Sequence, residues 1–218
     1  MPHAETVADR LRELGSSIVA DALRDLGRRS QTAAHGLRPV VLEHACAGPA
    51  RTARFEPVPE ADADFLPLAA FIDSCEPGDV LVLDRAAEAS PGSVWGEICS
   101  TTAIQRGAAG VVVDGFMRDE LRLGAVGLPV FSRGAFPQDC LGRSMVRATQ
   151  VTVEIGGVTV EPGDLVVADV DGVVFVPAAM ADDVAAAAQE KHAAEQALIE
   201  AARAGGSLRD AVARVGTL

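Results

Sequence analysis

The sequence predicts an α/β fold with helices at the N-terminus and one long helix at the C-terminus. Two nearly continuous apolar segments, DVLVLD (79–84) and AGVVVDG (109–115), flank the helix-like segment GEICSTTAIQRG (96–107). A strand, a helix and a strand at this spacing form a βαβ unit with parallel strands and a right-handed crossover. The Ala-rich stretch 178–204 predicts the long helix. A length of 218 residues with 49% hydrophobic residues fits one domain over residues 1–218.

The N-terminal segment 5–27 is typical of a helix, a break and a second helix. Ser16 or Ser17 can cap the second helix, and Gly27 can end it. An α/β core of about residues 37–177 follows, which begins with an extended segment that bends at Gly48-Pro49.

The rest of the core alternates strands with short connections. A short amphipathic helix is expected within 61–78, and a loop of mostly small residues within 85–95. PVFSRG (129–134) predicts a further strand, and Gly156-Gly157 predicts a β-hairpin in the strand-rich stretch that follows. The C-terminal helix stops at Gly205-Gly206 and leaves a short tail.

Charge and cysteine usage exclude several classes of protein. A net charge of −12 and a pI near 4.7 disfavour binding to nucleic-acid phosphates. No apolar run reaches membrane-spanning length, and the charged N-terminus lacks the apolar core of a secretory signal. The four cysteines are widely spaced without a CxxC pair, which favours reduced thiols and a cytoplasmic location.

Two polar segments follow the predicted parallel strands. Gly96 opens the helix after the first strand, and the next strand is followed by the adjacent pair Arg118-Asp119. Ligands of open α/β sheets bind outside the carboxyl ends of the strands, so both segments should face one crevice. A helix start can hold a carboxylate or phosphate through the amides of Gly96, Glu97, Ile98 and Cys99. A simple chain turn and a solvated ion pair fit these residues too, and the residues alone leave both alternatives open.

Five segments occur in order along the chain, namely SSIVADALRDLG (16–27), GPARTA (48–53), PGDVLVLD (77–84), VWGEICSTTAIQRGAAGVVVDGFMRD (94–119) and PGDLVVADVDGVVFVP (162–177). Together they resemble the RraA-like family, which includes the class II 4-hydroxy-4-methyl-2-oxoglutarate / 4-carboxy-4-hydroxy-2-oxoadipate aldolases. The resemblance covers most of the chain and implies a compact β/β/α swivelling-domain fold that assembles as a homotrimer or hexamer. It implies cleavage of a small 2-oxo acid to pyruvate with Mg²⁺ or Mn²⁺.

The resemblance also implies roles for individual residues. Residues 96–99 match the substrate-holding segment, Arg118 matches the substrate-binding and catalytic Arg, and Asp119 matches the metal-binding Asp. A catalytic Glu that reaches in from a neighbouring subunit's C-terminal helix corresponds to Glu195, with Glu190 as the weaker match. The chain departs from the aldolases at Arg122, where the family usually has an acid.

These roles predict a metal-dependent pyruvate aldolase. Substrate carboxylate and keto oxygens would chelate the metal at Asp119, and Arg118 would stabilise the developing enolate oxygen. A metal-bound water or a nearby acid would take the proton from the 4-hydroxyl. Oxaloacetate would lose CO₂ through the same enolate. The single lysine, Lys191, lies on the terminal helix, so a Schiff-base mechanism is not expected.

Two alternatives remain at this point. One is a non-catalytic regulatory trimer of the same family that binds a protein partner. The other is a lyase for a different 2-oxo acid. The regulatory branch typically lacks the Asp that Asp119 matches, which favours an enzyme, whereas Arg122 in place of an acid favours the regulator.

Overall fold

Helices pack around a curled mixed sheet in a computed structural model that describes residues 5–62, 64–85 and 92–215. Short 3₁₀ turns at Glu60–Asp62 and Ala178–Met180 accompany the longer helices. The α-helices are α1 (Val7–Leu14), α2 (Ser16–Asp25), α3 (Leu66–Asp73), α4 (Glu97–Gln105), α5 (Glu120–Val126), α6 (Ala181–Arg203) and α7 (Leu208–Val215).

The strands fall into one large sheet, one small sheet and one hairpin. They are β1 (Arg38–Pro39), β2 (Cys46–Pro57), β3 (Val80–Arg85), β4 (Ser93–Trp95), β5 (Gly110–Asp114), β6 (Phe116–Met117), β7 (Val130–Ser132), β8 (Gly134–Ala135), β9 (Ser144–Thr149), β10 (Val153–Ile155), β11 (Val158–Val160), β12 (Leu165–Ala168) and β13 (Val173–Val176).

The large sheet has the order β1-β7-β5-β3-β2-β12-β13 in the described ranges, and β9 also pairs with β2. Neighbours among β7, β5, β3 and β2 are parallel, whereas β1, β9, β12 and β13 pair antiparallel. Strands β3 and β5 run parallel from Val80 opposite Gly110 to Asp84 opposite Asp114, with α4 between them in sequence. The predicted βαβ unit is therefore confirmed.

Both faces of the sheet are covered, as expected for parallel strands. Residues 80–83 of β3 are fully buried. Because side chains alternate along a strand, Leu81 and Leu83 pack with α3 and α4, whereas Val80 and Val82 pack with the β10–β11 hairpin. This alternation explains why the sequence of β3 is continuously apolar.

The β10–β11 hairpin confirms the turn predicted from the two adjacent glycines. Ile155 lies opposite Val158, so a two-residue loop connects the strands. Gly156 and Gly157 have φ values of 56° and 81°. Both values lie in the left-handed region that this tight turn requires, which glycine adopts without a steric penalty.

The start of α2 differs from the prediction. Its N-cap is Gly15 and no side chain of the helix caps it, so neither Ser16 nor Ser17 is the cap. Asp169, from the turn between β12 and β13, supplies the missing acceptor. Its Oδ2 accepts from the Ser16 amide at 2.7 Å and its Oδ1 from the Ser16 hydroxyl at 2.6 Å. A residue more than 150 positions away therefore caps the helix.

The N- and C-terminal helices pack together over β12 and β13. Leu11 of α1, Val19 of α2 and Val184 of α6 are buried in one cluster with Val174. Lys191 of α6 also pairs with acidic residues of α2. The α/β class, the N-terminal helices and the long C-terminal helix are thus confirmed, but the expected short tail contains α7.

None of the helices in the described ranges is both long and apolar enough to cross a membrane. Most of the predicted small-residue loop, residues 86–91, lies outside the described residues.

Candidate functional site

A small parallel sheet extends the carboxyl ends of the main sheet. Strands β3, β5 and β7 each lead along the chain into one short strand, and these short strands pair in the order β4-β6-β8. Gly96 follows β4, Arg118 follows β6, and Asp139 lies beyond β8. Because consecutive parallel strands end at the same edge, these connections meet there. The predicted common crevice is confirmed in this geometry.

Arg118 and Asp119 occupy the link between β6 and α5. The Arg118 amide donates to the Trp95 carbonyl at 2.9 Å, which ties this link to β4. Asp119 has φ 64°, an unusual left-handed conformation for a residue other than glycine. Its carbonyl accepts from the Leu123 amide at 3.0 Å, so Asp119 starts α5. Such conformations cluster at functional sites and cost about 1–3 kcal/mol each, with Asp among the more tolerant residues.

Position 96 requires a glycine because the side chains of Arg118 and Asp119, which follow β6, approach it closely. Its own backbone is extended, so its conformation alone would admit any residue. A Cβ at this position would lie 2.7 Å from Asp119 Oδ2 and 3.3 Å from Arg118 Cγ. The missing side chain therefore makes room for the Asp119 carboxylate at the start of α4.

The amides at the start of α4 are shared between Asp119 and the pocket. The Glu97 amide donates to Asp119 Oδ2 at 3.2 Å, so this predicted ligand-binding amide is engaged inside the chain. Ile98 and Cys99, whose amides lack intrahelical partners at a helix start, line the adjacent pocket. The structure therefore brings together all the residues predicted from 96–99 and 118–119.

Arg118 lies between two carboxylates. Its Nη1 is 3.4 Å from Asp139 Oδ2, and its Nε is 4.0 Å from Asp119 Oδ2. Asp139 was missed in the sequence, although it follows the strand predicted at 129–134, and treating that strand as parallel would have placed Asp139 by the same rule as Arg118. The Arg118 side chain keeps 41% of its surface exposed, so it remains accessible to a ligand.

The crevice is a pocket of about 300 Å³. Its polar end contains Glu97, Arg118, Asp119 and Asp139, and the rest of its surface is mainly apolar. This volume suits a small organic acid.

Arg122 forms an ion pair beside the pocket. Its Nη1 lies 3.0 Å from Glu97 Oε2, and this hydrogen bond raises the pKa of Arg122 above its ordinary value. Arg122 stands where the resemblance implies an acid. Its partner is the side chain of Glu97, the residue whose backbone amide contacts Asp119.

Cys99 contributes a neutral group to the pocket. Burial is the main cause that raises the pKa of its thiol to about 11. At neutral pH the thiol is therefore protonated, and it is a poor nucleophile or metal ligand.

Asp119 is suited to a hard divalent cation. Within residues 5–62, 64–85 and 92–215, no three His, Cys, Asp or Glu side chains form a group able to hold a metal ion. Mg²⁺, however, is commonly held by one or two carboxylates, with waters and substrate oxygens as the other ligands. Asp119, which lies beside Arg118 in the pocket, fits that pattern.

Glu195 is separate from this site within one chain. It lies on α6, which packs against α1, α2 and α7, and it does not line the pocket. Its contribution from a neighbouring subunit stays a prediction, as does that of Glu190.

The fold and pocket define an α/β protein with an anion-compatible crevice at the carboxyl ends of parallel strands. The chain belongs to the RraA-like family, because the family model described as Aldolase/RraA matches residues 16–175. It is 30% identical over 188 residues to a Halalkalibacterium halodurans protein named "Putative 4-hydroxy-4-methyl-2-oxoglutarate aldolase". That match covers 86% of this chain and 84% of the relative.

Two solved structures show the same fold. An uncharacterized protein from Pseudomonas syringae is 33% identical with a TM-score of 0.84, covering 97% of this chain and 98% of that one. Streptomyces coelicolor RraAS2, titled an unusual member of the RNase ES inhibitor RraA protein family, is 33% identical with a TM-score of 0.78. That match covers 89% of this chain and 96% of the other.

Proposed function

We propose that this protein is a divalent-metal-dependent lyase that cleaves a 4-hydroxy-2-oxo acid of the 4-hydroxy-4-methyl-2-oxoglutarate type to pyruvate. Oxaloacetate decarboxylation is a second activity of the same site. The observation that carries the proposal is the Arg118-Asp119 pair held against the start of α4 in a pocket of about 300 Å³. The names of relatives such as the Halalkalibacterium halodurans protein support this class of reaction.

Each site residue has a role in this reaction. Asp119 would hold Mg²⁺ or Mn²⁺, which when bound polarises the substrate's keto group. The Ile98 and Cys99 amides orient the substrate carboxylate, and the Arg118 guanidinium stabilises negative charge that develops on the keto oxygen. Asp139 holds Arg118 through its contact with Nη1. A catalytic Glu195 from a neighbouring subunit, in a homotrimer or hexamer, is part of the proposal.

The first test is pyruvate release, coupled to lactate dehydrogenase, from 4-hydroxy-4-methyl-2-oxoglutarate and from oxaloacetate. We expect turnover with Mg²⁺ and none with excess EDTA. Asp119→Asn is the matched variant, because Asn also tolerates the left-handed conformation that Asp119 adopts. This variant should keep its thermal unfolding midpoint and lose metal-dependent turnover. Wild-type turnover that persists in EDTA would contradict the proposal.

A regulatory function is the second candidate, favoured by the 33% identity to RraAS2, a member of the RNase ES inhibitor RraA protein family. A folded protein that releases no pyruvate from any 2-oxo acid tested, with either metal, would favour this candidate. Sedimentation analysis of the same preparation tests the proposed trimer or hexamer.

A further inference from the structure

Beyond its polar end, the pocket is bounded by hydrophobic side chains. We name as the apolar wall Phe55, Phe65, Leu68, Leu141, Met145 and Val146, all of which line the pocket. Phe55, Leu68 and Val146 are buried, whereas Phe65 and Leu141 are 48% and 54% exposed at the surface. The wall is therefore apolar both in the protein interior and at the surface. A substrate that reaches past Arg118 contacts mainly hydrocarbon.

The charges that line the pocket do not favour a second substrate carboxylate. Arg118 is the only cationic side chain among the described residues that line the pocket. Four carboxylates share the lining, namely Asp64, Glu97, Asp119 and Asp139. The Ile98 and Cys99 amides, Arg118 and a divalent cation at Asp119 would together bind one carboxylate and the keto oxygen. No described lining residue then remains to pair with another anion, and an unpaired carboxylate is costly to desolvate.

Among the described residues, a buried hydroxyl at the pocket lacks a partner. Ser144, at the start of β9, is 3% exposed, lines the pocket, and its Oγ has no hydrogen-bond partner among the described residues. Ser93 is a useful contrast because it also lines the pocket and is 4% exposed. Its Oγ donates to the Gln138 carbonyl at 3.0 Å. A buried hydroxyl without a partner is uncommon, and a ligand oxygen would satisfy it.

We propose that the pocket selects 2-oxo acids whose distal half is uncharged and mainly apolar, with Ser144 Oγ as a hydrogen-bond partner for an uncharged substrate oxygen. This inference rests on the proposed lyase function and specifies its substrate class. The preferred substrate is a 4-hydroxy-2-oxo acid with an alkyl group at C4, in place of the second carboxylate of 4-hydroxy-4-methyl-2-oxoglutarate.

The cleavage is balanced without a co-reactant. The 4-hydroxyl loses its proton, the C3–C4 bond breaks, and C4 becomes the carbonyl carbon of an aldehyde or ketone. The electron pair of that bond remains on the three-carbon fragment, which takes up one proton at C3 to become pyruvate. An alkyl substrate therefore yields pyruvate and a neutral carbonyl compound, whereas the dicarboxylate yields two molecules of pyruvate.

The main experiment compares two substrates that differ in one group. 4-Hydroxy-4-methyl-2-oxopentanoate has a methyl group where 4-hydroxy-4-methyl-2-oxoglutarate has its distal carboxylate. We expect kcat/KM for substrate cleavage, with the two pyruvates from the dicarboxylate counted as one event, to be about tenfold or more higher with the methyl compound. For unbranched 4-hydroxy-2-oxo acids, kcat/KM should rise up to about fourfold for each added methylene that reaches the wall. Equal values, or a preference for the dicarboxylate, would overturn the inference.

A charge introduced into the apolar wall should weaken or abolish this preference. Leu141→Arg places a cation at the exposed part of the wall, so the dicarboxylate should gain on the methyl compound by about tenfold in kcat/KM. Leu208→Arg on α7 is the matched control, because Leu208 is 62% exposed and does not line the pocket. If both variants change the preference equally, or neither does, the wall does not select the distal half.

Ser144→Ala separates ligand binding from folding. It should lower kcat/KM for the methyl compound by about threefold to tenfold without lowering Tm, because the hydroxyl has no partner in the part of the chain that the structure describes. Ser93→Ala should lower Tm, because it removes a hydrogen bond that the fold uses. An unchanged kcat/KM in Ser144→Ala would remove Ser144 from the proposal.

Pyruvate itself distinguishes failure of this inference from failure of the proposed function. It has no distal half, so exchange of its methyl protons with D₂O, followed by NMR, reports only on the reacting end of the site. Metal-dependent exchange together with preferred cleavage of the dicarboxylate would overturn the substrate class and leave the lyase function intact. Absence of both exchange and cleavage would overturn both proposals.

Discussion

Gly96→Ala is the most informative single substitution in this site. The backbone of Gly96 is extended, so alanine introduces no backbone strain and its effect comes from the added Cβ. That atom would lie 2.7 Å from Asp119 Oδ2, and ordinary contact begins near 3.4 Å, so the carboxylate must retreat by about 0.7 Å. The displacement also weakens the hydrogen bond from the Glu97 amide.

The expected magnitude follows from that displacement. Misplacement of a catalytic group by 1 Å lowers turnover by about a hundredfold, so we expect kcat/KM to fall by roughly tenfold to a hundredfold. The weakened hydrogen bond should lower the free energy of unfolding by about 1 kcal/mol. Mn²⁺ affinity, measured by electron paramagnetic resonance, should fall independently of turnover because Asp119 is the proposed metal ligand.

The control is a glycine-to-alanine substitution in α5, the next helix along the chain. In Gly124→Ala the new Cβ would lie 3.5 Å from Val41 Cγ2, an ordinary contact. Gly124 lies within α5, so alanine should be neutral or should stabilise by up to about 1 kcal/mol. If Gly96→Ala matched Gly124→Ala in kcat/KM, Mn²⁺ affinity and stability, the account of Gly96 and Asp119 would be refuted.

Three further predictions concern the site and the fold. Arg118→Lys should lower kcat/KM by about a hundredfold, because an ammonium group cannot present the planar fork of a guanidinium, and near-normal kinetics would argue against its role. Asp169→Ala should lower the free energy of unfolding, measured in urea, by about 2 kcal/mol because it removes the α2 cap. The control Asp171→Ala removes an exposed hydrogen bond and should change the free energy of unfolding by less than about 0.5 kcal/mol. In reducing buffer, the free energy of unfolding should fall between pH 9 and 11. The cause is that thiols of the unfolded chain ionise near pH 9.0, whereas burial raises the pKa of three thiols in the folded state. A constant urea midpoint over this range would contradict the prediction. The buried thiols and their pKa values are Cys46, about 12, Cys75, about 11, and Cys99, about 11.

The alkaline experiment is unusually clean in this chain. It contains no tyrosine and a single lysine, Lys191, so few other side chains titrate in the same range. The sign follows from the direction of the shift. A raised folded-state pKa means that the unfolded chain loses protons first as the pH rises, which favours unfolding.

Local patterns in the sequence determined much of the fold and part of the site. The apolar segments of β3 and β5 and the helix between them predicted the parallel pair, and Gly156-Gly157 predicted the hairpin turn. The rule that ligands bind at the carboxyl ends of parallel strands placed Arg118-Asp119 and the start of α4 in one crevice. These inferences succeeded because strand periodicity, turn chemistry and βαβ topology depend on residues that are close in sequence.

Only the tertiary structure decided the remaining features. Asp169 caps α2 from the distant β12–β13 turn, Asp139 holds Arg118 from a third connection, and Gly96 is small because Asp119 approaches it. Ser144 is notable only because packing buries its hydroxyl without a partner in the ranges 5–62, 64–85 and 92–215. Each of these depends on atoms brought within a few ångströms by packing of residues far apart in the chain, and composition, periodicity and spacing contain no record of such contacts.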